Sequence, residues 1–150
     1  MNPIAKTISM PMDVKAIQQC IPHRYPFLLI DRVLEASPNE YITAIKNVSI
    51  TDPVLAGHFP DNPVVPGVMI VEGIAQAAAV LGHLSYEKGL TTCYLTEISE
   101  ARFRKPVVPG DVMRFELKVL KRRPPFFWFD AKCKVDGEVV SEVKVSAFIK

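Results

Sequence analysis

Apolar residues cover nearly every side of one long segment in the middle of the chain. Val68–Leu84 is rich in Ala, Leu, Val and Met and contains no proline, which predicts a helix. Pro66 lies just before it, at a position typical of a helix N-terminus. A helix without a polar face is buried on all sides. In a chain of 150 residues we expect a curved sheet to surround it.

The second half of the chain alternates apolar and charged residues with a period of two, which predicts strands. Asp136-Gly137 is typical of a type I′ hairpin turn, and Pro109-Gly110-Asp111 predicts a second turn. The predicted strands are Cys93–Ile98, Ala101–Val107, Met113–Val119, Phe129–Val135 and Val139–Ala147.

The first half predicts one short helix and two further strands. Asp13 can cap the helix, with Val14, Ile17 and Ile21 on its apolar face and Pro22 at its end. The strands are Phe27–Leu34 and Tyr41–Val48, the latter followed by a turn around Asp52-Pro53. Strands, one long helix and then a run of antiparallel strands predict an α+β fold, with residues 1–150 as a single domain.

Composition excludes several classes of protein. The chain is 49% hydrophobic and 23% charged, which suits a folded core, and its net charge of +2 does not indicate a nucleic-acid binder. Its three cysteines form no CxxC motif and are typical of packing residues in a reducing compartment. No secretion signal is visible. The apolar stretch Val64–Leu84 is interrupted by Pro66, Glu72, Gln76 and His83, so we expect a cytoplasmic protein without a membrane span.

Two polar residues stand out as candidates for chemistry. Glu72 lies inside the apolar helix, where a carboxylate must be paired, hydrated or protonated, and Gln76 follows one turn later. His58 lies in the loop Gly57–Gly67. Either residue could instead be an ordinary solvated or interface side chain. Because metal-site, nucleophile-elbow and phosphate-loop motifs are absent, acid–base chemistry without metal or cofactor is the main catalytic option.

Three blocks carry a resemblance to a known family: PHRYPFLLIDRV (Pro22–Val33), GHFPDNPVVPGVMIVEGIAQAAA (Gly57–Ala79) and ARFRKPVVPGD (Ala101–Asp111). In this order and spacing the chain resembles the β-hydroxyacyl-acyl carrier protein dehydratases of bacterial type II fatty acid synthesis, and among them the Z-type. The A-type relatives carry an aspartate where this chain has Glu72.

The resemblance implies a hot-dog fold, in which an antiparallel sheet wraps a long helix. It also implies dehydration of a (3R)-3-hydroxyacyl-[acyl-carrier-protein] to the trans-2-enoyl product, with His58 as base and Glu72 as acid. For Glu72 to act as an acid at neutral pH, its apolar neighbours must favour the protonated form. Such proteins form homodimers, often three dimers in a hexamer, and each active site takes its histidine and glutamate from different subunits.

Other residues are candidates for substrate binding. The backbone N–H of Gly67 or Val68, at the helix N-terminus, is expected to bind the thioester oxygen, although Gly67 could be a simple turn glycine. The acyl tunnel is expected to include Phe59, Ile74, Ile98 and Phe103, which could equally be core residues, and Tyr94 aligns with a tyrosine that gates the tunnel in relatives.

Acyl carrier protein is the expected partner, and it is acidic. Two basic clusters could receive it or could simply be solvated: Arg102, Arg104 and Lys105, and Lys121, Arg122 and Arg123. Two other functions stay open. A hot-dog thioesterase would release free thiol, whereas a non-enzymatic acyl-thioester sensor would bind without turnover.

Overall fold

The sheet of this protein has six antiparallel strands and packs against one long helix. A computed structural model describes residues 9–86, 89 and 92–150. The strands lie side by side in the order β1-β2-β4-β5-β6-β3, so β1 and β3 are the two edges. The elements in chain order are α1 (Val14–Cys20), β1 (Arg32–Ser37), β2 (Tyr41–Asn47), a 3-10 helix (Pro53–Ala56), α2 (Gly67–Ser85), β3 (Cys93–Phe103), β4 (Val112–Arg123), β5 (Phe126–Val135) and β6 (Glu138–Ile149).

The predicted central helix is confirmed to within one residue at each end, and it forms the core with one face of the sheet. Ile74 and Leu81 of α2 and the rings of Phe115, Phe127 and Phe129 are fully buried. By length and composition alone α2 could cross a membrane, but 61% of an apolar 18-residue stretch of this helix is buried inside the fold. Its apolar surface is therefore explained by the sheet, and the predicted α+β arrangement is confirmed.

Local chemistry explains several boundaries. The Asp13 side chain accepts a hydrogen bond from the N–H of Ala16 at 2.9 Å, which caps α1 as predicted. Ile17 and Ile21 of its predicted apolar face are buried, but Val14 is 41% exposed. Asp136 and Gly137 have φ angles of 51° and 78°, as a type I′ hairpin between β5 and β6 requires.

The predicted strand Phe27–Leu34 was wrong, because only its last residues are in β1. The N–H groups of Phe27 and Leu28 both donate to the carbonyl of Arg24 in a turn. The side chain of Gln76 then bonds the carbonyl of Phe27 and the N–H of Leu29, so this backbone is tied to α2 instead of to a strand.

The predicted strands Cys93–Ile98 and Ala101–Val107 are one strand, β3, that ends at Phe103. This strand pairs with β6 along its whole length, and the pairing continues through two register shifts, between Leu95 and Glu97 and between Ile98 and Glu100. Bulges of this kind insert residues without ending a strand. Every residue of β3 after Cys93 is exposed, although four of them are large apolar or aromatic residues: Tyr94, Leu95, Ile98 and Phe103.

Candidate active site

His58 lies in the loop between the 3-10 helix and α2, as predicted, and the backbone of that loop holds its ring. The carbonyl of His58 accepts from the N–H of Val64 at 2.9 Å. In return the carbonyl oxygen of Val64 lies 2.7 Å from Nδ1 of His58. A carbonyl can only accept a hydrogen bond, so Nδ1 carries the proton. Nε2 of neutral His58 therefore holds a free lone pair.

A pocket of about 490 Å³ opens beside His58, lined also by the first residues of α2 and by Phe103 and Arg104. Gly67 allows the close approach here: a Cβ at this position would lie 2.9 Å from the Phe103 ring. In the described part of the chain, the N–H groups of Gly67 and Val68 have no backbone acceptor. The pocket thus combines a ring nitrogen that can accept a proton with backbone donors at a helix N-terminus.

Glu72 lies on α2 with its side chain 26% exposed. Its Oε1 accepts a hydrogen bond of 3.0 Å from Nε2 of Gln76, one turn further along. Gln76 itself is only 1% exposed, and its amide also bonds the Phe27 and Leu29 backbone at 2.7 and 2.8 Å. With its amide fixed on three sides, Gln76 holds Oε1 of Glu72 in place, and Oε2 has no hydrogen-bond partner among the described residues.

His23 is a neighbour of Glu72 that the sequence pattern does not indicate. Its Nε2 lies 3.8 Å from Oε1 of Glu72. The only sequence signal was its place in the block Pro22–Val33, since nothing in its local pattern indicates that this loop meets α2.

Within the described part of one chain, His58 and Glu72 are not joined by a hydrogen bond or an ion pair, and Glu72 is not among the residues that line the His58 pocket. Two further predicted site residues lie near the surface. Phe59 is 52% exposed, with its ring centroid 4.0 Å from that of His58. Tyr94 is exposed on β3.

Of the remaining predicted tunnel residues, Ile74 is fully buried in the core, as the alternative interpretation had it. Ile98 and Phe103 are each about half exposed on β3. Gly67 and Phe103 are in contact, whereas Ile74 belongs to the interior face of α2.

Residues of both predicted basic clusters contact neighbouring side chains. In the first cluster, Arg102 pairs with Glu100, Arg104 with Glu142 and Lys105 with Glu138. The hydrogen bond from Arg104 lowers the pKa of Glu142. In the second cluster, Lys121 lies over the Trp128 ring at 5.1 Å and Arg122 over the Phe127 ring at 5.3 Å. The two clusters lie on different strands, the first at the end of β3 and the second at the end of β4.

The cysteines are free, and burial raises the pKa of Cys20 and Cys93 to about 11 and that of Cys133 to about 12. They therefore remain thiols at neutral pH, which makes them poor nucleophiles. Among the residues that the structure describes, no group of three or more His, Cys, Asp or Glu side chains is placed to hold a metal ion.

Comparison with known proteins places these features in a family. Residues 21–144 match the FabA-like domain family. A 3-hydroxyacyl-[acyl-carrier-protein] dehydratase FabZ of Bordetella petrii is 47% identical over 147 residues, covering 94% of this chain and 97% of the relative. The FabZ dehydratase of Nitratiruptor sp. is 46% identical over 144 residues, covering 92% of this chain and 97% of that protein.

Solved structures share the fold. A chain from the dehydratase heterocomplex ApeI:P of Xenorhabdus doucetiae superposes with a TM-score of 0.76 at 21% identity, covering 89% of this chain and 90% of its own. A mutant of the thioesterase PA1618 from Pseudomonas aeruginosa gives 0.68 at 15% identity, covering 92% of this chain and 94% of its own. At these identities the likeness concerns the fold alone.

Proposed function

Because the chain belongs to the FabA-like family and, within it, to the FabZ-type 3-hydroxyacyl-[acyl-carrier-protein] dehydratases, we propose that it removes water from such a thioester, with His58 as base and Glu72 as acid. The observation that carries this proposal is the ring of His58, which the Val64 carbonyl holds with Nδ1 protonated and Nε2 free at the edge of a pocket. Acid–base elimination needs a base in that state.

The base removes a proton from C2, the carbon next to the thioester carbonyl. The C2–H electrons move into the thioester as an enolate, and the proton goes to Nε2 of His58. Negative charge then develops on the thioester oxygen, where the N–H groups of Gly67 and Val68 can stabilise it. A glycine at position 67 lets Phe103 pack against the backbone beside those donors.

The acid completes the elimination. The bond between C3 and its hydroxyl breaks as the enolate electrons form the C2–C3 double bond, and Glu72 supplies the proton that lets the oxygen leave as water. The contact from Gln76 to Oε1 fixes the carboxyl group and leaves Oε2 to deliver that proton. The products are the enoyl thioester and water, and proton transfer from His58 back to Glu72 resets the site.

We further propose that the two residues act across a homodimer. The β3 edge supports this arrangement, since its exposed Tyr94, Leu95, Ile98 and Phe103 and its unpaired backbone groups offer a surface that a second copy of β3 would extend. Phe103 also lines the His58 pocket, so a partner at this edge would approach the site. We also propose that three such dimers assemble into a hexamer, as the resemblance implies.

Acyl carrier protein, the expected cytoplasmic partner, would approach the mouth of the pocket. Arg104 and Lys105 line that mouth, and Arg102 precedes them on β3 with its side chain 63% exposed. Because each of these cations already pairs with a glutamate, their effect on an acidic partner would act mainly through the association rate. Two further residues would contact or gate the acyl chain: Tyr94, at the start of β3, and Phe59, whose ring lies beside that of His58.

Incubation with a 3-hydroxyacyl-carrier protein tests the function. Mass spectrometry of the intact carrier protein should show the loss of one water, with an enoyl thioester as product. Appearance of free carrier thiol would instead identify a thioesterase. Binding without any change of mass would identify an acyl-thioester sensor, and either result would overturn the proposal.

A further inference from the structure

His23 is a titratable side chain beside Glu72 that the proposed reaction does not use. It comes just after α1, whereas Glu72 lies on α2. The distance of 3.8 Å between His23 Nε2 and Glu72 Oε1 exceeds a hydrogen bond, but a shift of about 1 Å would form one. Catalytic hydrogen bonds are often this long before substrate binds.

The other ring nitrogen fixes which atom of neutral His23 carries the proton. Nδ1 is buried and has no hydrogen-bond partner. A proton on Nδ1 would be a buried donor without an acceptor, which is costlier than a bare lone pair on a ring nitrogen. The proton therefore lies on Nε2, which is the nitrogen directed at Glu72.

The backbone around His23 is held rigidly. The guanidinium of Arg24 donates to the carbonyls of Ile21, His23 and Gln18 at 2.7–2.9 Å. The His23 ring stacks near Phe27, with centroids 6.2 Å apart and 22° between the planes, and the Phe27 carbonyl is bonded to Gln76. His23 and Gln76 thus approach the same oxygen of Glu72 through one connected network.

We propose that His23 is a positioning residue for Glu72: as the Nε2–H tautomer it supports Oε1 beside Gln76 and leaves Oε2 to give the proton. A neutral donor suits this role. It stabilises the carboxylate that forms when Glu72 releases its proton, whereas a lysine or arginine at this place would hold the resting carboxyl ionised. This inference rests on the proposed role of Glu72 as the acid.

Substitutions that move the donor test the inference. His23→Gln places an amide N–H near the position of Nε2, whereas His23→Asn places it near Nδ1 and His23→Leu removes it. We expect His23→Leu and His23→Asn to lower kcat at least about tenfold with little change in KM, and His23→Gln to stay within about threefold of the wild type. A wild-type kcat in His23→Asn, or equal losses of kcat in His23→Gln and His23→Asn, would overturn the proposal. The comparison of the Gln and Asn variants tests the proposal even if the Leu variant does not fold.

A double variant separates this inference from the function on which it rests. In a Glu72→Gln background, the loss caused by His23→Asn should shrink to less than about twofold, because residues that act as a unit are not additive. Full activity in Glu72→Gln alone would refute Glu72 as the acid. If Glu72→Gln is slow and the added His23→Asn lowers its kcat by a further tenfold, only the proposed role of His23 is refuted. Nitrogen NMR of labelled histidine should show the Nε2–H tautomer, and a proton on Nδ1 would contradict it.

Discussion

A histidine accepts a proton only through a ring nitrogen with a free lone pair, and at His58 the surrounding loop decides which nitrogen that is. The Val64 carbonyl binds Nδ1 at 2.7 Å, so the neutral ring presents Nε2. Glu72 has the complementary arrangement, with Oε1 held by Gln76 and Oε2 without a partner in the described part of the chain. Each residue is therefore fixed through one atom and available through the other.

At this scale we predict that His58→Ala and Glu72→Gln each lower turnover by at least about 100-fold, the usual scale for loss of a general acid or base. Steady-state kinetics on a 3-hydroxyacyl thioester measures the loss, and circular dichroism shows whether each variant is folded. Val68→Ala is a matched control at the pocket, because it shortens an exposed side chain and keeps the backbone N–H. Near-wild-type dehydration by either folded variant would remove that residue from the mechanism.

The sequence singled out these two residues as candidates but did not reveal the contacts around them. Glu72 was conspicuous because it interrupts an apolar helix, and His58 because its loop is part of a long motif. The bonds from Gln76 to Phe27 and Leu29 span 49 and 47 residues, and no local pattern encodes a contact at that separation. For the same reason, the sequence did not reveal His23 as a neighbour of Glu72.

Among the elements, α2 depends on a close approach to the sheet at Gly73. A Cβ there would lie 2.6 Å from Cζ of Phe115, whose ring is fully buried in β4. We predict that Gly73→Ala destabilises the protein by about 1 kcal/mol, because overpacking of about 1–3 kcal/mol exceeds the gain in helix propensity of up to about 1 kcal/mol.

Urea unfolding measures this change in the free energy of unfolding. In a Phe115→Leu background the smaller side chain makes room for the methyl group, so Gly73→Ala should cost less there than in the wild type. A Gly73→Ala variant that is more stable than the wild type would show that α2 does not approach the sheet so closely.

A second prediction at this scale concerns the pairing of β4 with β5. Hydrogen bonds from Lys134 and then from Arg114 hold the pKa of Glu116 below its ordinary value of 4.5. The resulting stabilisation is fully present above that value and is lost as pH falls through the lower value of the folded state. Glu116→Gln should therefore cost up to about 1 kcal/mol at neutral pH and nothing in strong acid.

Urea titrations at the two pH values check this prediction. Glu35→Gln is the control, since Glu35 has no ion-pair partner among the described residues. A Glu116→Gln deficit that persists unchanged in acid would mean that packing rather than charge stabilises this site.

A continuous apolar stretch predicted α2, and alternation of apolar and charged residues predicted most of β4, β5 and β6, because each element buries one face or all of its surface against the same core. Alternation failed at β3, where it predicted two separate strands, one ending before Ser99 and one beginning after Glu100. Hydrogen bonds to β6 continue through two bulges there, and bulges break the period without breaking the strand. The prediction of a strand at Phe27–Leu34 failed for another reason. The apolar residues of this segment pack beside α2, and its backbone bonds the side chain of Gln76 instead of a neighbouring strand.

At the scale of the whole molecule, no described residue of the same chain covers the exposed apolar edge of β3. Its apolar residues and basic end suit two partners, a second copy of the chain along the strand and an acidic carrier protein at its end. We predict that Arg102→Glu weakens use of a carrier-protein substrate several-fold, and that the loss is sensitive to salt.

A small thioester surrogate provides the control for that prediction, because it lacks the acidic carrier surface. Its turnover by Arg102→Glu should match that of the wild type. Equal losses with both substrates would show that Arg102 supports the fold or the pocket instead of carrier docking.

The most direct test of the central claim is a mixed dimer of His58→Ala with Glu72→Gln. If each site takes His58 from one chain and Glu72 from the other, the mixed dimer has one doubly damaged site and one intact site. Co-expression with different tags and tandem purification isolates it, and it should regain about half of the wild-type turnover per dimer. Purified mixed dimers as inactive as either parent would show that both residues serve one chain's site and would contradict the shared arrangement.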